Sequence, residues 1–144
     1  MKRILKSVLR FLVTAIVTTA LLIGFQVVTN GMWLFGLPEL DQVESVSIAY
    51  PQVTEEVKTV TGAEDKELAL KLTGFLKYNL FQKAEDGQQP LITITYHLQD
   101  GTDRSIAANG TTVWWKDKAY PLKVPDTFVN LTEGIFFLAE VQAR

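Results

Sequence analysis

Residues 91–101 read Leu91-Ile92-Thr93-Ile94-Thr95-Tyr96-His97-Leu98-Gln99-Asp100-Gly101. Ile92, Ile94, Tyr96 and Leu98 alternate with Thr93, Thr95 and His97, the period-two pattern of a strand with one face buried and one face wet. Turn signals recur downstream at Asp100-Gly101, Asn109-Gly110 and Asp117-Lys118, so a meander of four antiparallel strands is expected over residues 91–123. Its apolar face has to stay continuous, and a slip of one residue would turn that face over. A three-residue loop at Gln99-Asp100-Gly101, with Gly101 left-handed, sets Ile94 opposite Ile106, Tyr96 opposite Arg104 and His97 opposite Asp103. Two-residue loops at the next two turns set Val113 against Ile106 and Leu122, and Trp115 against Tyr120. Pro121 has no N–H to give a ladder, which makes the last strand an edge open to pairing.

Outward from the meander, helical spacing takes over on both sides. Thr61-Gly62-Ala63-Glu64 has the form of a capping box, and Leu68, Leu72, Phe75, Leu76 and Leu80 follow as one stripe of a helix of about 18 residues. Gly74 inside it marks a close approach to the sheet at a cost of about 1 kcal/mol relative to alanine. Asp126 caps a second helix, whose stripe is Phe128, Leu131, Ile135 and Leu138. Upstream, Val46, Ile48 and Tyr50 alternate with Ser47 and Ala49 as a strand, and Val57–Val60 adds a shorter one. The expected fold class is therefore α+β: an antiparallel sheet, made of the meander plus one or two earlier strands, with two helices on one face.

Before this domain runs FLVTAIVTTALLIGFQVV, Phe11–Val28, without a charge. As a helix it would span ~27 Å, close to the ~30 Å hydrocarbon thickness, so a transmembrane segment is expected. Lys2, Arg3, Lys6 and Arg10 are the only charged side chains before Glu39, while all 16 acidic residues follow. This asymmetry sets the amino terminus in the cytoplasm and the acidic domain outside, at the cell membrane. The alternative is a cleaved signal peptide. Its apolar core is usually 7–15 residues, shorter than this run, and Thr29 and Gly31 make a poor cleavage site. The expected organisation is a basic cytoplasmic head (1–10), a membrane signal-anchor (11–30), a juxtamembrane linker (31–41) and an extracytoplasmic domain (42–144). Lys2, Arg3, Lys6 and Arg10, with Trp33 in the aromatic belt at the other end, are the candidate membrane-interface residues, and the lipid bilayer is the first partner. An acidic folded part argues against nucleic acid as a partner.

Catalytic signals are sparse. The chain has no cysteine and one histidine, which argues against a usual zinc site, and no calcium-loop, P-loop, dinucleotide or nucleophile-elbow spacing occurs. No cofactor is expected. On the polar face of the meander, His97 opposes Asp103 with Ser105 diagonal to it, a grouping that resembles a nucleophile, base and orienting acid but has no cleft or oxyanion hole on a hairpin face. Trp114 stands on the same face, and Trp114, His97, Thr95 and Lys116 are the candidate partner-binding residues.

The stretches VKTVTGAEDKELALKLTGFL (57–76), LITITYHLQDG (91–101) and AYPL (119–122) resemble the small, single-pass, membrane-anchored extracytoplasmic domains of uncharacterised Gram-positive bacterial proteins, over residues 44–138. That resemblance implies a bacterial origin and an accessory, sensing or binding role, and it transfers no catalytic residue. The expected function is a tethered binding, sensing or interaction module that meets a membrane or envelope protein. Two alternatives stand beside it. One is a structural membrane subunit acting through its helix, by way of Thr18, Thr19, Ala20 and Gly24. The other is a surface hydrolase using His97.

Overall fold

The computed structural model describes residues 1–143 of the 144-residue chain. Its first element, α1, runs from Lys2 to Asn30 as 29 residues of continuous helix with no buried residue, long and apolar enough to cross a membrane. The basic head is thus part of this helix. At about 100° per residue, Lys2, Arg3, Lys6 and Arg10 fall within one arc of about 100°, with Ile4, Leu5 and Val8 on the other side. Several polar side chains farther along bond within the helix, an arrangement compatible with hydrocarbon. Thr19 Oγ1 donates to Ala15 O at 2.8 Å, Thr29 Oγ1 to Phe25 O at 2.7 Å, and Asn30 Nδ2 to Gln26 Oε1 at 2.7 Å.

Residues 31–41 are not a linker. Gly31 ends α1 at φ 77°, and a Cβ there would meet Lys123 Cβ at 3.0 Å and Tyr78 O at 3.2 Å, so only glycine lets the chain turn directly into the domain. Met32–Trp33 (β1) then pairs antiparallel with Lys77–Tyr78 (β4), and Leu34 and Pro38 are buried. Leu34 of the apolar, glycine-broken stretch joins the core and Met32 and Leu37 pack against it, whereas Trp33 and Phe35 stay exposed.

The main sheet has six antiparallel strands in the order β3-β2-β5-β6-β7-β8. These are Val43–Ala49 (β2), Lys58–Val60 (β3), Ile92–Leu98 (β5), Asp103–Ala108 (β6), Thr112–Trp115 (β7) and Lys118–Pro121 (β8). The first hairpin has the expected register: Gly101 is left-handed at φ 84°, and Ile94 faces Ile106, Tyr96 faces Arg104 and His97 faces Asp103. The next two turns each close one residue away from the expected place. Asn109 lies outside its loop and closes it: Oδ1 accepts from the Thr111 and Thr112 amides at 2.9 and 2.8 Å, leaving Gly110-Thr111 as the loop. Val113 therefore pairs with Ala108, not Ile106. At the following turn Lys116 and Asp117 both take positive φ, as a tight hairpin of this hand demands, so Trp115 pairs with Lys118 and Val113 with Tyr120. Each shift is two places, so every side chain keeps its face. The β8 edge is partly closed, because the Asn79 amide donates to Pro121 O at 2.9 Å and Tyr78 bridges Leu122.

Helices cover the apolar face, but they bury different arcs from those the spacing suggested. Ala63–Gly74 (α2) is 12 residues long and starts at Gly62 with no side-chain cap, so the capping box does not form. It turns Ala69, Leu72 and Thr73 inward and leaves Leu68 and Phe75 exposed. Gly74 touches nothing: its missing Cβ would sit in open space at the helix end. The anchor is polar, since the Tyr96 hydroxyl lies 2.8 Å from Ala69 O and 2.7 Å from Thr73 Oγ1 in the buried interface. Burial pushes the Tyr96 phenol far above its ordinary pKa of 10.0, so it stays a neutral donor. Thr127–Phe136 (α3) and Leu138–Gln142 (α4) follow a left-handed Asp126 that makes no side-chain cap. They bury Phe128, Val129, Thr132 and Phe137, whereas Leu131, Ile135 and Leu138 stay exposed. Tyr50 fastens them, donating to Glu133 Oε1 at 2.5 Å and meeting the Phe137 ring edge-on at 5.5 Å. Lys58 does the same from β3, with Nζ 2.5 Å from both Glu140 Oε1 and Phe136 O.

Candidate functional site

The uncovered face of the sheet is built from short side chains in three rows fixed by strand register. Ser45, His97 and Asp103 form one row; Thr59, Ser47, Thr95 and Ser105 the next; Ala49, Thr93, Ala107, Trp114 and Ala119 the third. Hydroxyls and one imidazole knit the first two rows together. His97 Nδ1 lies 2.8 Å from Asp103 Oδ1 and its Nε2 lies 2.8 Å from Ser47 Oγ, while Thr95 Oγ1 and Ser105 Oγ are 3.0 Å apart.

The hydroxyl that meets His97 is thus Ser47, on the neighbouring strand β2, and not Ser105. Alternation along β2 already placed Ser47 on the polar face. What the sequence did not carry was the pairing of β2 with β5, a contact between strands about 50 residues apart. Asp103, His97 and Ser47 now stand in the order acid, imidazole, hydroxyl. The rest of an acyl-transfer site is missing from the arrangement: β2 is paired on both sides of Ser47, with Thr59 and with Thr95, so the amides that an oxyanion would need are spent in the ladders. What these side chains do is tie β2, β5 and β6 across the wet face. Among the described residues no cluster of three His, Asp or Glu side chains could hold a metal ion.

The four candidate partner-binding residues do not converge. Thr95 and His97 are neighbours, but Trp114 is two strands and four residues along from His97, roughly 17 Å. Trp114 is half-buried where residues 80–88, together with Lys118, Ala119 and Tyr120, enclose a hollow of about 620 Å³. That loop is pinned by Asn109, whose Nδ2 donates to Gln88 Oε1 at 2.9 Å and Gln89 O at 3.0 Å. Thr112 is buried at this end of the hairpin. Lys116 sits in the turn, its ammonium 5.5 Å from the centre of the Trp115 ring and beside Gly36, so its charge is turned away from Trp114.

The membrane-interface candidates lie at opposite ends of α1. Lys2, Arg3, Lys6 and Arg10 are exposed in its first three turns. Trp33, three residues past the other end of α1, is 55% exposed, with the Lys77 ammonium 4.7 Å from its ring. No protein-family model, curated protein or solved structure matches this chain.

Proposed function

We propose that the chain is a single-pass, membrane-anchored interaction module: α1 lies in the cell membrane, its basic end is cytoplasmic, and the sheet domain meets a membrane or envelope protein outside. The observation that carries this reading is α1 itself, apolar on every side over its middle and covered by no part of the domain. Its direct passage into β1 supports the second half. With β1 paired directly after Gly31, little slack separates the domain from the helix. The surface offered to the partner is the small-residue sheet face with Trp114 at its edge.

A photo-cross-linking residue placed at Thr95 or Thr93 in the full-length chain should trap one discrete membrane or envelope protein in intact cells. Trp114→Ala should weaken that product. Loss of the product from a site on the helix face instead, with no effect of Trp114→Ala, would reassign the surface. The hydrogen-bonded Asp103–His97–Ser47 chain favours a second reading, a surface hydrolase. Under that reading Ser47→Ala and His97→Ala each abolish an activity found by screening ester and amide substrates, whereas a binding module has none to lose.

A further inference from the structure

The two helices leave an apolar groove between them. Its volume is about 340 Å³, within the range of ligand sites, and its walls include Leu72 and Phe75 at the end of α2, Leu122 and Val124 after β8, and Phe128 and Leu131 of α3. Phe75 is 73% exposed, Val124 58% and Leu131 41%, and Ile135 and Leu138 continue the open apolar surface along α3 and α4. Phe75, Leu131, Ile135 and Leu138 belong to stripes spaced like a core, yet of those stripes the fold buries only Leu72, Leu76 and Phe128 fully. An apolar surface patterned like a core and left open marks a site that something covers.

The place of the groove says what covers it. Gly31, where α1 ends, packs against Lys123, and the Lys123 amide donates to Lys77 O at 2.8 Å. Lys77 is itself in the groove wall and pairs with Trp33 across β1 and β4. Val124 is the next residue after Lys123. The groove therefore opens within two residues of the last turn of α1, which, counted from Phe11, reaches the edge of a ~30 Å hydrocarbon core. Lys77 lines the groove, with its ammonium 4.7 Å from the centre of the Trp33 ring, and Lys123 precedes Val124 in the chain, so two lysines belong to this end of a domain whose net charge is negative. An apolar trough with cations at its membrane end matches the two halves of a phospholipid, chain and phosphate.

We propose that the groove between α2 and α3 seats an acyl chain of a bilayer phospholipid, with Lys77 and Lys123 at its phosphate. The inference rests on the reading that α1 lies in a bilayer. The full-length chain is reconstituted into vesicles of phosphatidylcholine and phosphatidylglycerol that contain a phospholipid with a diazirine in its acyl chain. After irradiation and digestion, lipid adducts are expected on two separate sets of peptides, those of α1 and those holding Phe75 and Val124–Leu131. Val124→Asp lowers the second set about tenfold, the loss of one buried aliphatic side chain, and leaves the α1 adducts unchanged. Should that variant fail to fold, Val124→Cys carrying an environment-sensitive dye reads the same site in a chain with no other cysteine, and its emission shifts to the blue on reconstitution. Adducts confined to α1 overturn the groove assignment and leave the anchor standing. Absence of adducts from α1 as well overturns the anchor reading itself. Groove peptides cross-linked to a second copy of the chain and bare of lipid assign the groove to self-association and overturn the proposal.

Discussion

Tyr96 and Thr73 hold α2 on the sheet through three buried oxygen atoms, and their energetics can be separated. Tyr96→Phe removes a hydroxyl that lies 2.8 Å from Ala69 O and 2.7 Å from Thr73 Oγ1. Thr73 is not orphaned by the change, because its Oγ1 is also 3.2 Å from the carbonyls of Ala69 and Leu70. The loss is then that of an ordinary buried hydrogen bond, about 1 kcal/mol, without the further penalty of an unsatisfied group. Thr73→Val costs about the same, since the phenol keeps Ala69 O. The double variant leaves no polar side-chain atom in the contact, so its cost should stay near that of either single change, with a coupling of about 1 kcal/mol. Urea unfolding in detergent micelles, followed by tryptophan fluorescence, to which the buried Trp115 contributes, measures all three. If the two single costs simply add, the shared network is absent and the docking of α2 rests on apolar contact alone.

Gly31→Ala should loosen the seat of the domain on its helix. It forces a side chain into φ 77° against Lys123 and Tyr78 at a cost of about 1–3 kcal/mol, and hydrogen exchange should accelerate at Met32–Trp33 and Lys77–Tyr78. Unchanged protection there would show that β1 is not the joint. His97→Ala should change domain stability by no more than about 1 kcal/mol, because the His97–Asp103 pair is exposed on both sides; a larger loss would mean that the three-strand tie is more than a surface pair. Acid should weaken the domain in a defined window. Hydrogen bonding from Lys58 holds the Glu140 carboxyl below its ordinary 4.5, and hydrogen bonds from Thr102 hold Asp100 below 3.8. The unfolded chain takes up those protons first. The stabilisation is therefore complete above the ordinary values and fades as pH falls through the lower native ones. The urea midpoint should fall on acidification below about pH 4.5, and Glu140→Gln should flatten part of that fall; a midpoint that rises there would contradict the sign.

Local chemistry made the meander readable. Strict alternation in β5 and a glycine able to take positive φ at position 101 fix both the strand and its first partner. The next turns are one residue off for a reason that residue types alone do not reveal. Asn109 can occupy a tight turn or cap one from outside, and only its bonds to Gln88 and Gln89, far off in sequence, decide for the second. Helical periodicity had a similar limit. It showed that Leu68, Leu72, Phe75 and Leu131 form apolar arcs, but an arc does not say how much of itself the sheet will cover, and the uncovered remainder is the groove. Residues 31–41 were misread because a short apolar stretch broken by glycines has no period to betray its pairing with β4. At the candidate site, His97 and Asp103 were legible as a hairpin pair. Ser47 was not, since pairing between distant strands leaves no local mark.

The account depends on α1 crossing a membrane with the sheet domain on the far side, and labelling single cysteines with a membrane-impermeant maleimide tests this most directly. Ser7→Cys lies in the basic turns of α1 and Glu85→Cys in the exposed loop beside Trp114, in a chain with no native cysteine. In intact cells Glu85→Cys should be labelled at once, and Ser7→Cys only after the membrane is opened. Equal labelling of both, or labelling of Ser7→Cys alone, would contradict the anchored, outward-facing arrangement from which the rest is argued.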